Sequence, residues 1–232
     1  MKGETQFMAF RGKIYRCLTR LRFQPIRVFC FHQVSDIFDP ISMWQCDWIS
    51  EDEFKNKITQ LQEEYTFISL EEAHTKLRTD IFRFRKYAVL TADDGSKTLE
   101  CILPWLNKRH IPLTLFLNGS YLTGKMYRET SAEKYFTTDE ILSHGFNNIA
   151  IGHHGWDHVD VKKQTVESFV ESIQKNIRAL EIFPNCVPYW AYPYGVYTSE
   201  SDMILQEYNL CPVYTDGQKN YNDPNCIHRE IL

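Results

Sequence analysis

The sequence predicts an α/β fold in which parallel strands form either an open sheet or a closed barrel. Short apolar runs alternate with amphipathic segments along most of the 232 residues, which is the pattern of repeated strand–helix units. Helix-start signals follow the apolar runs, and polar clusters stand where three of the runs end. Because ligands of such folds bind at the carboxyl ends of the strands, these clusters are the first candidates for a functional site.

The strands and helices can be assigned in chain order. Ser50 and the acidic residues that follow it begin a helix whose apolar positions Phe54, Ile58 and Leu61 share one face. Pro104 is expected to kink or shift the helix that contains it. The predicted strands are IRVFCF, TFIS, YAVLTA, LTLFLNG, NIAIG, YWAY and CPVYT. The predicted helices are SEDEFKNKITQLQEEY, SLEEAHTKLR, SKTLECILPWLNKR, TTDEILSHG, KQTVESFVESIQKNIRALEIF and SESDMILQEYN.

The composition suits one domain of substantial size, which we assign to residues 26–232. Hydrophobic residues make up 43% of the chain, enough for a substantial core, and a net charge of -4 argues against a general nucleic-acid binder. The seven cysteines are scattered without a CxxC pair, so we expect no disulfide framework and a reducing compartment. We see neither a membrane-spanning run nor a secretory signal, and we therefore expect a cytoplasmic protein.

Residues 1–25 are predicted to form a separate, basic amphipathic helix. Apolar residues recur there at helical spacing, with arginines and a lysine between them. The apolar positions are Phe7, Phe10, Ile14, Leu18 and Leu21. Two interpretations stay open: the helix lies peripherally on an anionic inner-membrane surface, or it is an ordinary surface helix with a solvated basic face.

Two of the polar clusters together predict a metal site. TADDG places Asp93 and Asp94 at the end of one strand, and GHHGWDH supplies His154 and His158 at the end of another. Two imidazoles and one carboxylate suit zinc or a similar divalent ion with one coordination position left open. The second carboxylate could then act as a general base, while His153 is expected to point away. The alternative is a capping acid, a solvated acid and unrelated surface histidines.

The same motifs resemble those of the polysaccharide deacetylases, the NodB-homology enzymes of carbohydrate esterase family 4. TADDG resembles the TFDDG motif of that family, HGWDH resembles its His-Ser/Thr-x-x-His motif, and AYPYG resembles a variant of its third motif. LTLFLNGSYL is similar to the Phe-rich strand that follows the first motif. VFCFHQVSD, placed before the first motif, is most similar to the biofilm poly-N-acetylglucosamine deacetylase branch. The resemblance implies a distorted seven-stranded (β/α) barrel.

The resemblance also implies roles for particular residues in removing acetyl groups, most often N-acetyl groups, from a carbohydrate or glycan precursor. Asp94, His154 and His158 would hold a divalent metal, with zinc expected and cobalt or nickel as alternatives. Asp93 would be the base that acts on a metal-activated water. The backbone N–H of Tyr194 would stabilise the oxyanion.

A general acid must protonate the leaving amine. The biofilm poly-N-acetylglucosamine deacetylase branch looks circularly permuted, with its acid histidine placed early in the chain, and this resemblance implies that His32 is the acid. His228, near the end of the chain, is the rival assignment. The family's arginine partner of the base is absent from the third motif, where Ala191 stands; either Arg229 replaces it, or Arg229 is a surface residue. Gly155 replaces the motif's Ser/Thr, which is expected to loosen the orientation of His154. The residues assigned to substrate binding are Trp156, Pro193, Tyr192 and Arg229.

Two other functions compete with carbohydrate deacetylation. The first is a metal-dependent hydrolase that acts on another non-peptide C–N bond. The second is a catalytically inactive relative that only binds carbohydrate. The presence of a base, three metal ligands and a candidate acid argues against the inactive relative, because an inactive protein more often loses at least one of them.

Overall fold

The computed structural model describes residues 24–37, 48–80, 84–122, 135–143 and 148–232, and the predicted N-terminal helix falls almost wholly outside them. The strands are β1 (Ile26–Phe31), β2 (Gln33–Val34), β3 (Trp48–Ile49), β4 (Thr66–Phe67), β5 (Tyr87–Asp93), β6 (Leu113–Leu117), β7 (Ile149–His153), β8 (Cys186–Ala191), β9 (Cys211–Thr215) and β10 (Ile227–Ile231). The helices are α1 (Glu51–Glu64), α2 (Leu70–Thr79), α3 (Leu103–Lys108), α4 (Gly119–Leu122), α5 (Thr138–Ser143), α6 (Val166–Leu180) and α7 (Ser199–Glu207).

Seven parallel strands close into a barrel in the order β1-β10-β9-β8-β7-β6-β5. The circle is completed by pairing of β1 with β5, from Ile26 opposite Tyr87 to Phe31 opposite Ala92. The short β4 pairs with β5, while β2 and β3 form a separate two-stranded ladder. The predicted parallel α/β fold is therefore confirmed, and of its two forms the closed barrel is the one adopted.

The barrel interior is apolar below and polar at the carboxyl ends of the strands. Alternate strand residues point inward, so Val28, Val89, Val213 and Ile227 pack together in one buried cluster. Apolar residues of α2 belong to the same cluster, among them Leu70, Ala73 and Leu77. Apolar side chains fill the lower part of the interior. The ionisable groups of the interior therefore lie toward the carboxyl ends of the strands.

Capping side chains begin several helices where the sequence predicts. Ser50 accepts a hydrogen bond from the Glu53 backbone N–H, and Ser69 accepts one from Glu72, so each satisfies a donor that the first helical turn leaves unpaired. The predicted helix around Pro104 is divided into a 3-10 turn over Lys97–Cys101 and α3, with the proline in the first turn of α3. Among the described helices, none has the length and apolar character needed to cross a bilayer.

The strand β10 lies in a stretch for which the sequence predicts no strand. It fills the gap between β1 and β9, with Phe29 opposite Glu230 and Arg229 opposite Thr215. Ile227 and Arg229 are buried, so an arginine occupies a position where an inward-facing strand residue is normally apolar. This strand closes the barrel and places Arg229 beneath the functional site.

Candidate active site

A cavity of about 250 Å³ opens at the carboxyl ends of the barrel strands. Three strands deliver its acidic and histidine side chains: His32 follows β1, Asp93 ends β5 and Asp94 follows it, and His154 and His158 follow β7. Its full lining is His32, Gln33, Asp93, Asp94, His154, His158, Tyr192, Tyr194, Gly195, Thr215 and Ile231. The structure thus brings together residues that are far apart in sequence, at the end of the barrel where ligands are expected.

Asp94, His154 and His158 form a cluster whose ligand atoms all lie within 4.8 Å of one another. Asp94 Oδ1 is 3.3 Å from His154 Nε2 and 3.3 Å from His158 Nε2. One carboxylate oxygen and two imidazole nitrogens therefore converge on one point. This is the donor set that the sequence pattern predicts for a divalent cation.

The donor atoms of this cluster fit a cation. Asp94 Oδ1 and His154 Nε2 are buried, and neither makes a hydrogen bond within the described part of the chain. Native buried polar atoms are rarely left in this state without a ligand, water or ion. The other ring nitrogen of His154, Nδ1, lies 2.8 Å from the Ala191 carbonyl oxygen, to which it can only donate. The Nε2 lone pair of His154 is therefore turned toward Asp94, which is the tautomer that binds a metal.

The electrostatics of the cluster keep Asp94 ionised. Burial acts to raise the pKa of Asp94, but the imidazoles of His158 and His154 outweigh it and hold this pKa well below its usual value. Burial lowers the pKa of His158 to about 4, although Asp94 acts to raise it. At neutral pH, His158 is therefore a neutral imidazole that can offer a lone pair.

Backbone strain is concentrated at the same place. Three of the five non-glycine residues with positive φ in the described chain are Asp94 (67°), His158 (55°) and Tyr194 (60°). Such conformations cost free energy in residues with a Cβ and persist where the surrounding structure imposes them. The turns after β5, β7 and β8 are thus folded into conformations that aim these three residues at the cavity.

Asp93 has a different environment from Asp94. Both of its oxygens accept hydrogen bonds from Arg229, Oδ1 from Nη1 at 2.7 Å and Oδ2 from Nη2 at 2.8 Å. Arg229 is itself only 1% exposed and also donates to the hydroxyls of Thr91 and Thr215. Burial alone would raise the pKa of Asp93, but Arg229 lowers it to about 2. Arg229 is therefore the buried partner of Asp93, and the surface alternative is wrong.

Backbone support for His154 comes from two asparagines that the sequence motifs do not reveal. Asn118, directly after β6, donates to the His154 carbonyl oxygen. Asn176 of α6 is fully buried and donates to the Gly155 carbonyl oxygen at 2.6 Å and to the Leu117 carbonyl oxygen at 3.0 Å. The expected loosening at Gly155 is thus countered by side chains from neighbouring elements. The sequence signal for these roles is the position of the two amides. Asn118 follows the apolar run of β6, and Asn176 lies on the buried, mainly apolar face of α6.

The two histidines proposed for the general acid lie in different surroundings. His32 lines the cavity, with Nε2 3.9 Å from Asp93 Oδ2. His228 does not line it: Nδ1 is 2.8 Å from Asp216 Oδ2, and Nε2 is 3.4 Å from Cys226 Sγ. His153 also turns away, as expected, with Nδ1 2.7 Å from Asn176 Oδ1. Of the two candidate acids, only His32 lines the cavity.

The four residues assigned to substrate binding are divided by the structure. Tyr192 lines the cavity, although it is only 1% exposed and its hydroxyl donates to Asp202 Oδ1 at 2.9 Å. Trp156, Pro193 and Arg229 are not among the lining residues. The Trp156 ring lies beside Gly119 and lines a separate surface groove together with Lys175, and Gly155, directly before it, has a positive φ of 81°. The structure therefore places Trp156, Pro193 and Arg229 outside the cavity lining, and their contact with substrate stays a prediction.

Tyr194 is the exposed aromatic residue of the cavity. It is 46% exposed, and its ring stands edge-on against the ring of His158, with centroids 4.5 Å apart. The 3-10 turn Pro193–Gly195 that carries it follows β8 directly. Pro193 is buried below this turn. The turn therefore presents Tyr194, and not Pro193, to a molecule in the cavity.

A known protein family matches the chain. The family model described as polysaccharide deacetylase matches residues 83–213, a span that runs from β5 to β9 and covers more than half of the chain. It includes Asp93, Asp94, His154 and His158. No curated protein sequence matches the chain.

Solved structures share the fold over nearly all of the chain. IcaB from Ammonifex degensii superposes with a TM-score of 0.77 at 22% identity, covering 90% of this chain and 92% of that one. The Streptococcus pyogenes deacetylase PplD in complex with acetate gives a TM-score of 0.75 at 18% identity, with the same coverage of 90% and 92%. A de-N-acetylase from Aggregatibacter actinomycetemcomitans gives 0.69 at 15% identity, covering 89% and 94%. At these identities the likeness establishes the barrel fold.

Proposed function

The chain belongs to the polysaccharide deacetylase family, and from this premise we propose that it is a metal-dependent carbohydrate N-deacetylase whose reaction takes place in the barrel cavity. The single observation that carries the metal-dependent mechanism is the convergence of Asp94, His154 and His158 with two buried donor atoms that lack a hydrogen bond. The family accounts for the acetylated carbohydrate as substrate class.

Asp94, His154 and His158 would hold the cation. One carboxylate oxygen and two imidazole nitrogens favour zinc, with cobalt or nickel as alternatives, over magnesium or calcium, which prefer all-oxygen sites. A divalent ion bound there would polarise the acetyl carbonyl group and acidify water. The protein's own part is to fix the ligands: the Ala191 carbonyl oxygen sets the His154 tautomer, and Asn118 and Asn176 hold the backbone around it.

Asp93 is the proposed general base. Arg229 keeps Asp93 ionised and donates a hydrogen bond to each of its two oxygens. This paired contact holds the carboxylate in a single orientation at the cavity. Because the pKa of Asp93 is lowered to about 2, Asp93 accepts a proton readily only from a water that has already been made acidic. Tight pairing with Arg229 therefore gives orientation at the expense of basicity.

His32 is the proposed general acid. Its Nε2 lies 3.9 Å from Asp93 Oδ2 and the ring borders the cavity, so a substrate nitrogen placed to one side of the pair can lie within hydrogen-bond distance of both. Protonation of the leaving amine by His32 completes the reaction that Asp93 begins. His32 is preferred to His228 because His228 is not among the residues that line the cavity and its Nδ1 lies 2.8 Å from Asp216 Oδ2.

Tyr194 is proposed to act through its backbone N–H and its ring. The positive φ of Tyr194 belongs to the turn that borders the cavity, which suits a backbone donor to the oxyanion that develops on the acetyl group. The exposed ring, edge-on to His158, offers a hydrophobic wall for a sugar. Tyr192 forms a second, more buried wall.

The size of the cavity bears on the substrate. Its volume of about 250 Å³ is slightly below the range of about 300–1,000 Å³ that is common for small-molecule sites. A polymeric substrate would therefore enter with only one acetylated unit at a time. The deacetylase PplD, which shares the fold, is in complex with acetate, and acetate is what the reaction proposed here would release. The cytoplasmic location and the peripheral membrane contact of residues 1–25 stay predictions.

Acetate release from N-acetylglucosamine oligosaccharides tests the proposal. The metal-depleted protein should be inactive and should regain activity with zinc, cobalt or nickel, whereas the Asp94→Asn variant should not respond. Release of ammonia or another amine without acetate would instead identify a different C–N bond as the target. Sugar binding with no release under any metal would identify an inactive relative.

A further inference from the structure

Cys30, on β1 inside the barrel, has no part in the mechanism above, yet it lies beside two residues that do. We propose that Cys30, His32 and Asp93 form a second cation site, and that a thiophilic ion bound there inhibits the enzyme. The ligand atoms of these three residues all lie within 4.8 Å of one another, in a cluster distinct from the Asp94 set. A thiol, an imidazole and a carboxylate are the donor types that zinc and cadmium bind together.

The distances fit a tetrahedral ion. Cys30 Sγ is 3.5 Å from Asp93 Oδ2, and His32 Nε2 is 3.9 Å from the same oxygen. Zinc bonds of about 2.3 Å to sulfur and about 2.0–2.1 Å to nitrogen or oxygen imply separations of about 3.3–3.6 Å between ligand atoms. The sulfur and oxygen are already at that separation, and His32, which is part-exposed, has to move by about 0.5 Å.

Asp93 can serve such an ion while it stays paired with Arg229. Each carboxylate oxygen offers two lone-pair positions, and Arg229 Nη2 occupies one of those on Oδ2 at 2.8 Å. The other side of Oδ2 faces the Cys30 thiol, which donates to it. When the thiol proton leaves to solvent, this side of Oδ2 and the thiolate are two negative groups in a buried space. A divalent ion between them relieves their repulsion.

Access to the site runs through the cavity. Cys30 is fully buried, whereas His32 and Asp93 both line the cavity and stand in front of it. A cation that reaches Cys30 must therefore lie between the proposed acid and the proposed base and bind both. Binding of the ion does not depend on the proposed function, but the inhibition does, because it follows from the roles of His32 and Asp93.

The two sites should prefer different metals, because only the Cys30 site contains a thiolate. The Asp94 set has nitrogen and oxygen donors only, whereas the Cys30 set adds a soft sulfur ligand. Cadmium and excess zinc should therefore inhibit, while magnesium should not. Low zinc should activate through the first site before high zinc inhibits through the second.

Cadmium titration of the full chain, first given one equivalent of zinc, tests the binding by ultraviolet absorption from the cadmium–thiolate bond. Wild type should show a saturable absorption change, and Cys30→Ser should lack this change or need at least about tenfold more cadmium. Cys226→Ser is the matched control, because Cys226 is also a thiol beside an imidazole, 3.4 Å from His228 Nε2. His32→Gln, at a part-exposed position, should weaken cadmium binding by about tenfold while the absorption per bound ion persists.

The proposed site would be refuted if wild type and Cys30→Ser gave identical titrations. It would also be refuted if Cys226→Ser, and not Cys30→Ser, lost the signal. Acetate release measured along the same titration tests the inhibition. Acetate release should fall in step with the absorption change. The cadmium concentration that halves acetate release should be at least about tenfold higher for Cys30→Ser than for wild type. Full activity at saturating absorption would refute the inhibitory role. Absence of activity before any cadmium is added would refute the proposed function, and the absorption would still decide the site.

Discussion

Asp93 and Asp94 are neighbours in the chain, but the structure treats them in opposite ways. Asp93 is neutralised by the protein itself, through two hydrogen bonds from a buried arginine. Asp94 faces two imidazoles at 3.3 Å, and its Oδ1 makes no hydrogen bond within the described residues. One half of the site is thus complete when the chain folds. The other half has the composition of a site that is completed by a cation.

The difference comes from where the partners lie. Asp93 is the last residue of β5 and points into the barrel, where Arg229 of β10 fills an inward-facing position. Asp94 is the first residue of a turn with positive φ, and its neighbours His154 and His158 also come from a turn. Strands fix the base, and strained turns fix the metal ligands. Substitutions of Asp94 should therefore lower activity through loss of the metal. Substitutions of Asp93 should lower it through loss of the base and should leave Arg229 without its partner.

The largest effect is expected from Asp94→Asn. The amide removes the negative charge that binds the cation, so metal affinity should fall by more than about 100-fold and acetate release should fall to background. The fold should survive, because no buried cation of the protein loses its partner. Equilibrium dialysis with zinc, together with acetate release, checks this result. A variant that keeps both metal and activity would remove the distinction between the two carboxylates.

Asp93→Asn should lower activity by about 10²–10⁴-fold while the protein still binds the metal. This substitution also leaves Arg229 buried without its charge partner, so instability could be mistaken for lost catalysis. The double variant Asp93→Asn/Arg229→Met separates the two causes. It should recover stability because neither charge is left alone, and it should stay inactive. Recovered activity in the double variant would show that Asp93 is structural.

Arg229→Met should cost about 3–5 kcal/mol in the free energy of unfolding, because it leaves a buried carboxylate uncompensated. The pH dependence should change as well. Asp93 has a folded pKa of about 2, below its ordinary value of 3.8. Its contribution is therefore fully present above pH 3.8 and is lost as pH falls toward 2. Urea unfolding between pH 7 and pH 2 should show that this acid-sensitive contribution disappears in the variant.

The smallest effect is expected at Asp202, which lies on α7 behind the cavity wall. Its carboxylate accepts hydrogen bonds from the Tyr192 hydroxyl at 2.9 Å and the Tyr214 hydroxyl at 2.7 Å. Asp202→Asn should cost about 1–3 kcal/mol of stability and should raise KM a few-fold with kcat nearly unchanged. Tyr214→Phe removes one of the two hydrogen bonds and leaves the cavity wall in place, so it is the control. A large loss of kcat in Asp202→Asn would give this network a catalytic role.

The sequence predicts the main features of the fold because they depend on local pattern. Alternating apolar runs and capped amphipathic segments determine strands and helices without tertiary information. The rule that polar residues gather at the carboxyl ends of parallel strands then locates Asp93, Asp94, His154 and His158 at one end of the barrel. The metal cluster could be predicted because its ligands lie in the short turns that follow β5 and β7, at the end of the barrel where ligands of such folds bind.

The remaining features depend on contacts that spacing does not encode. The strand β10 escapes prediction because Arg229 interrupts its apolar alternation, and only the barrel interior shows that Asp93 neutralises this arginine. The direction of Trp156 depends on the positive φ of Gly155, which the letters HGWDH do not specify. Asn176 is 21 residues from the carbonyl it supports, so its role becomes visible only when α6 packs against β7.

Zinc titration of the metal-depleted wild-type protein, with acetate release from an N-acetylglucosamine oligosaccharide as the readout, tests most directly whether Asp94, His154 and His158 hold a catalytic cation. We predict no release without metal, a rise that is complete at one equivalent of zinc, and no rise in Asp94→Asn. Equal acetate release from the depleted and the refilled protein would contradict the account.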